Sequence, residues 1–275
     1  IIVATVLAIA FSYIAGIRSV MWTDSLQALV MIVASVAVVG FVVAELGGFT
    51  ALFDAVAERN PAMLTVPGPG LFSFTTFLGL TIPWFFFAIS NPQVSQRLFM
   101  PASLGALRRM LMIFLAFGFV YTLVSVLWGF SAYVAFPDLA NADLATSTLL
   151  ASDFVPPVLG VVVMVGILAA AVSTIDSILL TLSSMVARDV YANVATRTDD
   201  RKQLMIGKVI IPIISLIALG FAAMQFSLIA VLAVAASTGL VVIVPAIVGA
   251  FFWKRGTAAG ALASIVGGGI FVVAM

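Results

Sequence analysis

The chain has 275 residues, of which 64% are hydrophobic and 8% charged, with a formal net charge of +1. That is the composition of a multi-span helical membrane protein. There is no cysteine and no histidine, which excludes disulfide scaffolds, thiol chemistry, imidazole metal sites and histidine acid–base catalysis.

Apolar stretches long enough to cross a bilayer predict an all-α bundle of about eight spans, at 1–15, 21–46, 71–96, 110–136, 157–187, 208–224, 228–252 and 257–275. A short turn, Gly16-Ile17-Arg18-Ser19, separates the first two. Asp24 stands near the start of the second, where a carboxylate complements a helix N-terminus and can pair with Arg18. Residues 47–70 form a polar connection with Asp54, Glu58, Arg59 and the turn former Pro67-Gly68-Pro69-Gly70. The third span, LFSFTTFLGLTIPWFFFAISNPQVSQRLF, is interrupted at Pro83 and at Ser90-Asn91-Pro92. Proline removes a backbone donor and frees a carbonyl. In a bilayer such a break survives only where it is buried or lines a cavity, and broken helices at the midplane hold substrate in inverted-repeat transporters.

Arg97, Arg108 and Arg109 precede the fourth span. The loop after it, PDLANADLATSTLLASDFVPP, carries Asp138, Asp143 and Asp153 and no base, with an Ala-rich segment suited to an interfacial helix. The fifth span holds Ser173, Thr174, Asp176 and Ser177 in its middle. By helix rise Ser173 lies ~24 Å from Pro157 and ~21 Å from Ala187, near the midplane. A carboxylate at that depth is costly and normally faces a partner, a cavity or an ion path. Ala170 shares a helix face with Ser173 and Thr174. One backbone carbonyl and two hydroxyls could therefore converge on a small hard cation such as Na⁺, which takes oxygen ligands. The same hydroxyls could instead bond back to the carbonyl four residues earlier or join helices. Beyond the charged loop 188–208, the sixth span carries a mild break at Pro212. The turn Gln225-Phe226-Ser227 follows, then a seventh span with Ser237-Thr238-Gly239 and Pro245. The last span has Gly267-Gly268-Gly269, suited to close helix packing.

The charges support this parsing. If the loops alternate between two faces, one face takes Arg18, Arg97–Arg109, Arg188–Lys208 and Lys254–Arg255, and the other only Arg59. The basic face is expected to be cytoplasmic, with the chain a multi-pass cell-membrane protein.

AAAVSTIDS followed by SSMVARDVY resembles the eighth core helix of the sodium:solute symporter family, which includes sodium-coupled proline, pantothenate, sugar and iodide carriers. GIRSVMWTDSLQ resembles the start of its fifth core helix, NPQVSQRLFMPAS the end of its sixth, and FFWKRGTAAGALASIVGG its tenth-to-eleventh connection. The resemblance covers most of the chain. It implies part of a five-plus-five inverted-repeat (LeuT-type) fold, broken near Pro92. It also implies a single transmembrane domain, 1–275, cut from a longer protein, whose missing N-terminal helices supply the rest of the sodium and substrate sites.

The resemblance further implies Na⁺ as a co-transported ion at Ala170, Ser173 and Thr174, with Asp24 and Asp176 tuning the sodium path. Trp84, Phe87, Asn91 and Pro92 would line the substrate cavity, although Trp84 and Phe85–Phe87 also suit lipid-facing or core bulk. Asn91 stands where the family usually has Gln. Ala88 replaces a second aromatic of the proline carriers, a departure that argues against proline itself.

The expected function is Na⁺-coupled symport of a small organic solute by alternating access. The alternative is a solute-sensing membrane domain of a signalling protein on the same fold. Enzyme activity is not expected: no carboxylate pair stands at helical spacing beside a nucleophile. The partners are a solute and the lipid bilayer, with no nucleic acid.

Overall fold

The computed structural model describes residues 6, 9–10, 16–65, 74–195, 199–224 and 229–274. The expected span 1–15 therefore falls almost wholly outside the described residues. So do the turns Pro67–Gly70 and Gln225-Phe226-Ser227, Arg197, and the side chain of Arg18. Every regular element among the described residues is helical. Four helices are long and apolar enough to cross a membrane: Val20–Glu45, Leu104–Ala135, Pro157–Val194 and Asp200–Ala222. Shorter apolar helices cover Phe74–Phe85, Ala236–Phe252 and Ala258–Val272. The chain divides into two compact units, Ile1–Leu64 with Ser103–Gln225, and Thr65–Ala102 with Phe226–Met275.

In the first unit, α1 (Gly16–Glu45) runs unbroken through Gly16–Ser19, correcting the expected turn there. Apolar residues flank that stretch and no proline follows it, so the helix continues. Gly47 and Gly48 then take φ values of 87° and 96°, a left-handed turn that suits residues without a Cβ. The connection beyond is not all loop. Residues Gly48–Arg59 form α2, which buries Leu52 and Val56. The Arg59 guanidinium caps this region, donating to the Tyr133 carbonyl and lying 4.4 Å from the Tyr133 ring centroid.

Helix α6 (Leu104–Ala135) starts on Ser103, whose hydroxyl accepts from the Ala106 N–H at 3.2 Å. Helices α3, α4 and α5 belong to the second unit. The Ala-rich loop folds as the short helix α7 (Ala145–Leu150). Pro157 opens α8 (Pro157–Met185), where its missing N–H costs nothing. The chain continues past Met185 as a π-helical stretch, Val186–Tyr191, and a last turn, Ala192–Val194. The charged connection is thus largely helical. After it, Asp199 caps α9 (Asp200–Ala222), accepting from the Arg201 N–H at 3.0 Å. Pro212 sits inside α9 without ending it.

Two faces of α1 are buried. Ala34, Val38 and Val42, at four-residue steps, pack with Leu149 and Leu150 of α7, Val155, and Val163 of α8. Val39 and Val43 pack with Leu52 and Val56 of α2 and Val124 of α6. Trp128 of α6 touches both clusters. Further along, Val172 and Leu179 of α8 meet Ile211 of α9. Close backbone approach fixes the α7–α8 corner: a Cβ at Gly160 would lie 2.4 Å from the Leu150 carbonyl oxygen.

In the second unit, α3 (Phe74–Phe85) contains Pro83, and a single turn residue joins it to α4 (Phe87–Ser90). Asn91 is extended, with φ −85° and ψ 114°, and Pro92 begins α5 (Pro92–Leu98). The expected interruption at Ser90-Asn91-Pro92 is therefore a true helix break. Helices α10 (Ile229–Val241), α11 (Val244–Phe252) and α12 (Ala258–Ala274) complete this unit. The Val242 side chain lies over Gly268, where a Cβ would come within 2.9 Å.

Candidate functional site

Antiparallel packing of α1 against α8 builds the first cluster. The Ser173 hydroxyl donates to the Asp24 carboxylate across the two helices. Stepping seven residues up α1 and seven down α8 reaches Met31 over Gly166, where a Cβ would lie 2.4 Å from the Met31 sulfur. A small residue at 166 lets the helices close, and the closure brings Asp24 to Ser173.

Asp24 does not serve a helix N-terminus. The helix begins at Gly16, more than two turns earlier, and the terminal field fades within one turn. Its position is that of a carboxylate inside the membrane-spanning part of α1, held by a hydroxyl. Asp176 and Ser177, three and four residues past Ser173, are both buried, at 4% and 6% exposure. Thr174 bonds back along its own helix, its hydroxyl donating to the Ala170 carbonyl at 2.9 Å. The local alternative for Thr174 is thus realised. The bond also holds a hydroxyl oxygen and a carbonyl oxygen side by side, where one small cation could touch both. Thr181 repeats the pattern one turn on from Ser177, donating to the Ser177 carbonyl at 2.9 Å.

The helix break builds the second cluster. Pro92 has no N–H; the Gln93 N–H goes to Asn91 Oδ1 at 3.0 Å, and the Val94 N–H to the Asn91 carbonyl at 3.1 Å. The carbonyls of Ala88, Ile89 and Ser90 are thereby released from the i+4 ladder. Ser90 is 1% exposed and its hydroxyl has no hydrogen-bond partner among the described residues. An unsatisfied buried hydroxyl costs on the order of 1–3 kcal/mol. Trp84, half exposed, leans on Phe87 with ring centroids 5.0 Å apart and planes at 38°.

Of the residues expected at the sodium site, the structure joins Ser173 to Asp24 and Thr174 to Ala170, with Asp176 buried one turn on; of those expected at the substrate cavity it joins Trp84 to Phe87 and places Asn91 and Pro92 at the helix break. The sequence reading passed over Ser90 as a polar group in its own right. It also passed over Ser35, fully buried in α1 with an unpartnered hydroxyl among the described residues. For Ser90 a signal was present, since a serine directly before Asn-Pro sits at the released end of a helix.

The part-buried Ser173–Asp24 pair belongs to the first unit and the proline-broken helix to the second. The chain belongs to the sodium:solute symporter family, whose family model matches residues 1–268. It is 28% identical over 278 residues to the sodium/proline symporter of Haemophilus influenzae, an alignment covering 97% of this chain and 55% of that protein. It is 27% identical over 268 residues to the sodium/pantothenate symporter of the same organism, covering 96% and 55%. A solved structure of a Na⁺-coupled sialic acid symporter, in a substrate-bound outward-open state, shares the fold. Its TM-score is 0.66 at 18% identity, covering 99% of this chain and 66% of that one. The chain spans about half the length of the curated relatives it matches.

Proposed function

We propose that the protein carrying this chain is a Na⁺-driven symporter of a small organic solute, working by alternating access. The pairing of Ser173 with Asp24 across α1 and α8 carries the reading. In this reading Na⁺ is cargo, bound by the Ala170 carbonyl and the hydroxyls of Ser173 and Thr174, all uncharged oxygens. Asp24 and Asp176 supply the negative charge that draws the ion in and releases it inward. The membrane potential adds ~2.3 kcal/mol per charge per 100 mV.

The solute is held at the break, where Asn91 and the carbonyls of residues 88–90 offer hydrogen bonds and Trp84 with Phe87 forms an apolar wall. With Ala88 in place of an aromatic, the wall is more open than in the proline carriers, and proline is not assigned. Arg97–Arg109, Arg188–Lys208 and Lys254–Arg255 face the cytoplasm.

Solute uptake against Na⁺ concentration tests this with the full-length protein. Ser173→Ala and Thr174→Ala each remove one ion ligand. Apparent Na⁺ affinity should fall by about tenfold, the order of one charge-assisted contact. Solute affinity should fall with it, because coupling is reciprocal. High Na⁺ should restore uptake, and Thr174→Ser should be mild. Ser183→Ala is the control, since Ser183 is buried on the same helix and its hydroxyl donates to the Leu180 carbonyl at 3.1 Å. Unchanged Na⁺ dependence in both alanine variants at normal expression removes the sodium site.

A further inference from the structure

Between α11 and α12 in the second unit lies a cavity of about 560 Å³. Small residues line it, among them Gly249, Ala250, Gly260 and Ala261, and the exposed Trp253 and Arg255 mark its mouth. Nothing lies within 4 Å of where a Cβ on Gly249 would be, so the groove is open along that side of α11. No acidic residue lines it.

The sequence across the mouth grades sharply. Phe251 and Phe252 are 72% and 84% exposed, then comes the amphipathic Trp253, then the exposed bases Lys254 and Arg255. Within five residues the surface passes from hydrocarbon-compatible to aromatic to cationic, the order found across a membrane–water interface. The turn that sets this order is fixed by the Gly256 N–H donating to the Trp253 carbonyl at 3.0 Å.

We propose that this groove is a binding site for an anionic glycerophospholipid of the leaflet that Lys254 and Arg255 face. One acyl chain lies along the small-residue wall formed by Gly249, Ala250 and Ala261. The phosphate sits at the mouth, against Arg255. A planar guanidinium binds a phosphate through two parallel N–H···O bonds. Basic pockets between membrane helices suit anionic headgroups. A zwitterionic headgroup carries its own cation to the same place and gains less. Charge complementarity thus selects the occupant: Arg255 in the lining with Lys254 next to it in the chain, no acidic lining residue, and an apolar slot that suits an acyl chain.

The test uses the full-length protein in detergent, with native mass spectrometry of lipid retention after titration with phosphatidylglycerol or phosphatidylcholine. The wild type should retain one phosphatidylglycerol at a concentration about tenfold below that needed for phosphatidylcholine. Arg255→Ala should abolish this preference while leaving weak binding of both lipids. Gly249→Leu fills the open side of the groove, where an added side chain meets nothing, and should lose both lipids. A thermal melt of each variant in detergent without added lipid accompanies the titration. Equal retention of phosphatidylglycerol by the wild type and both variants overturns the proposal. So does full displacement by millimolar inorganic phosphate, which would make this a site for a soluble anion. If Gly249→Leu melts early, Ala250→Phe, on the exposed wall of the same groove, takes its place; retained lipid there also overturns the site.

Discussion

Ser173 uses its proton on Asp24, and its two lone pairs remain for a cation. In the proposed sodium site this arrangement separates charge from ligation: the carboxylate would set the field and the neutral oxygens would shape the seat. Replacing the charge while keeping the shape should therefore act on the ion more than on the fold. Asp24→Asn keeps an acceptor for the Ser173 hydroxyl, so expression and melting temperature should hold. Apparent Na⁺ affinity should fall by about tenfold or more, since a hydrogen bond or contact to a charged group is worth roughly 1.5–3 kcal/mol. Uptake measured against Na⁺ checks this, and a wild-type curve would detach Asp24 from the ion. The residue types of this site were legible in the sequence, because hydroxyls and carboxylates at membrane depth are conspicuous. The partner of each was not. Asp24 and Ser173 are 149 residues apart, and a contact at that separation follows from helix packing, which no local pattern encodes.

Packing of whole elements turns on two glycines of α8, and they differ in what opposes them. At Gly160 a Cβ would meet the backbone oxygen of Leu150 at 2.4 Å; at Gly166 it would meet the flexible end of Met31. Backbone cannot step aside as a thioether can. Gly160→Ala should lower stability by about 1–3 kcal/mol, the usual cost of overpacking. Gly166→Ala should cost much less, as Met31 takes another rotamer. Thermal unfolding in detergent ranks the two, and equal losses would contradict the distinction.

The break at Asn91 was legible because Asn-Pro states it chemically: a side chain that caps and an imide that cannot donate. Pro92→Ala restores the donor. The protein should still fold, but solute turnover should drop several-fold as the carbonyls of residues 88–90 are drawn back into a helix; wild-type turnover would make the break a mere kink. The unbroken start of α1 was misread for the opposite reason. Glycine and serine alone do not stop a helix whose neighbours are apolar and which packs against others. In α9, Pro212 likewise proved too weak a signal to end a helix already 12 residues long at that point.

For the molecule as a whole, the distribution of bases makes the sharpest statement. Arg59 stands apart from the other cations of the sequence, and it is held by Tyr133 through its ring and its carbonyl. An arginine tethered to the protein surface needs no cytoplasmic anion to settle it. With no native cysteine in the chain, introduced cysteines report topology directly. Cysteines at Asn60 and Asp143 should react with an impermeant maleimide on intact cells; one at Arg201 should react only after permeabilisation. Labelling of Arg201 from outside would invert the proposed orientation. Hydropathy pointed to the long apolar helices Val20–Glu45, Leu104–Ala135, Pro157–Val194 and Asp200–Ala222. Over 229–252 the helices are short, and there the sequence suggested one longer piece where α10 and α11 stand.

The π-helical stretch Val186–Tyr191 behaves, in effect, as one surplus residue stored at the end of α8. Deleting a residue there converts it to an ordinary helix and leaves the residues beyond it close to their present facing, whereas a deletion in the regular part of α8 would swing them by about 100°. Ala170, Ser173 and Thr174 lie upstream and would keep their alignment with α1. The chain therefore has a point at which its length can change by one without re-aiming either Ala170, Ser173 and Thr174 upstream or the bases that follow. Related sequences that differ in length by a single residue should carry the difference here rather than within Gly166–Ser177.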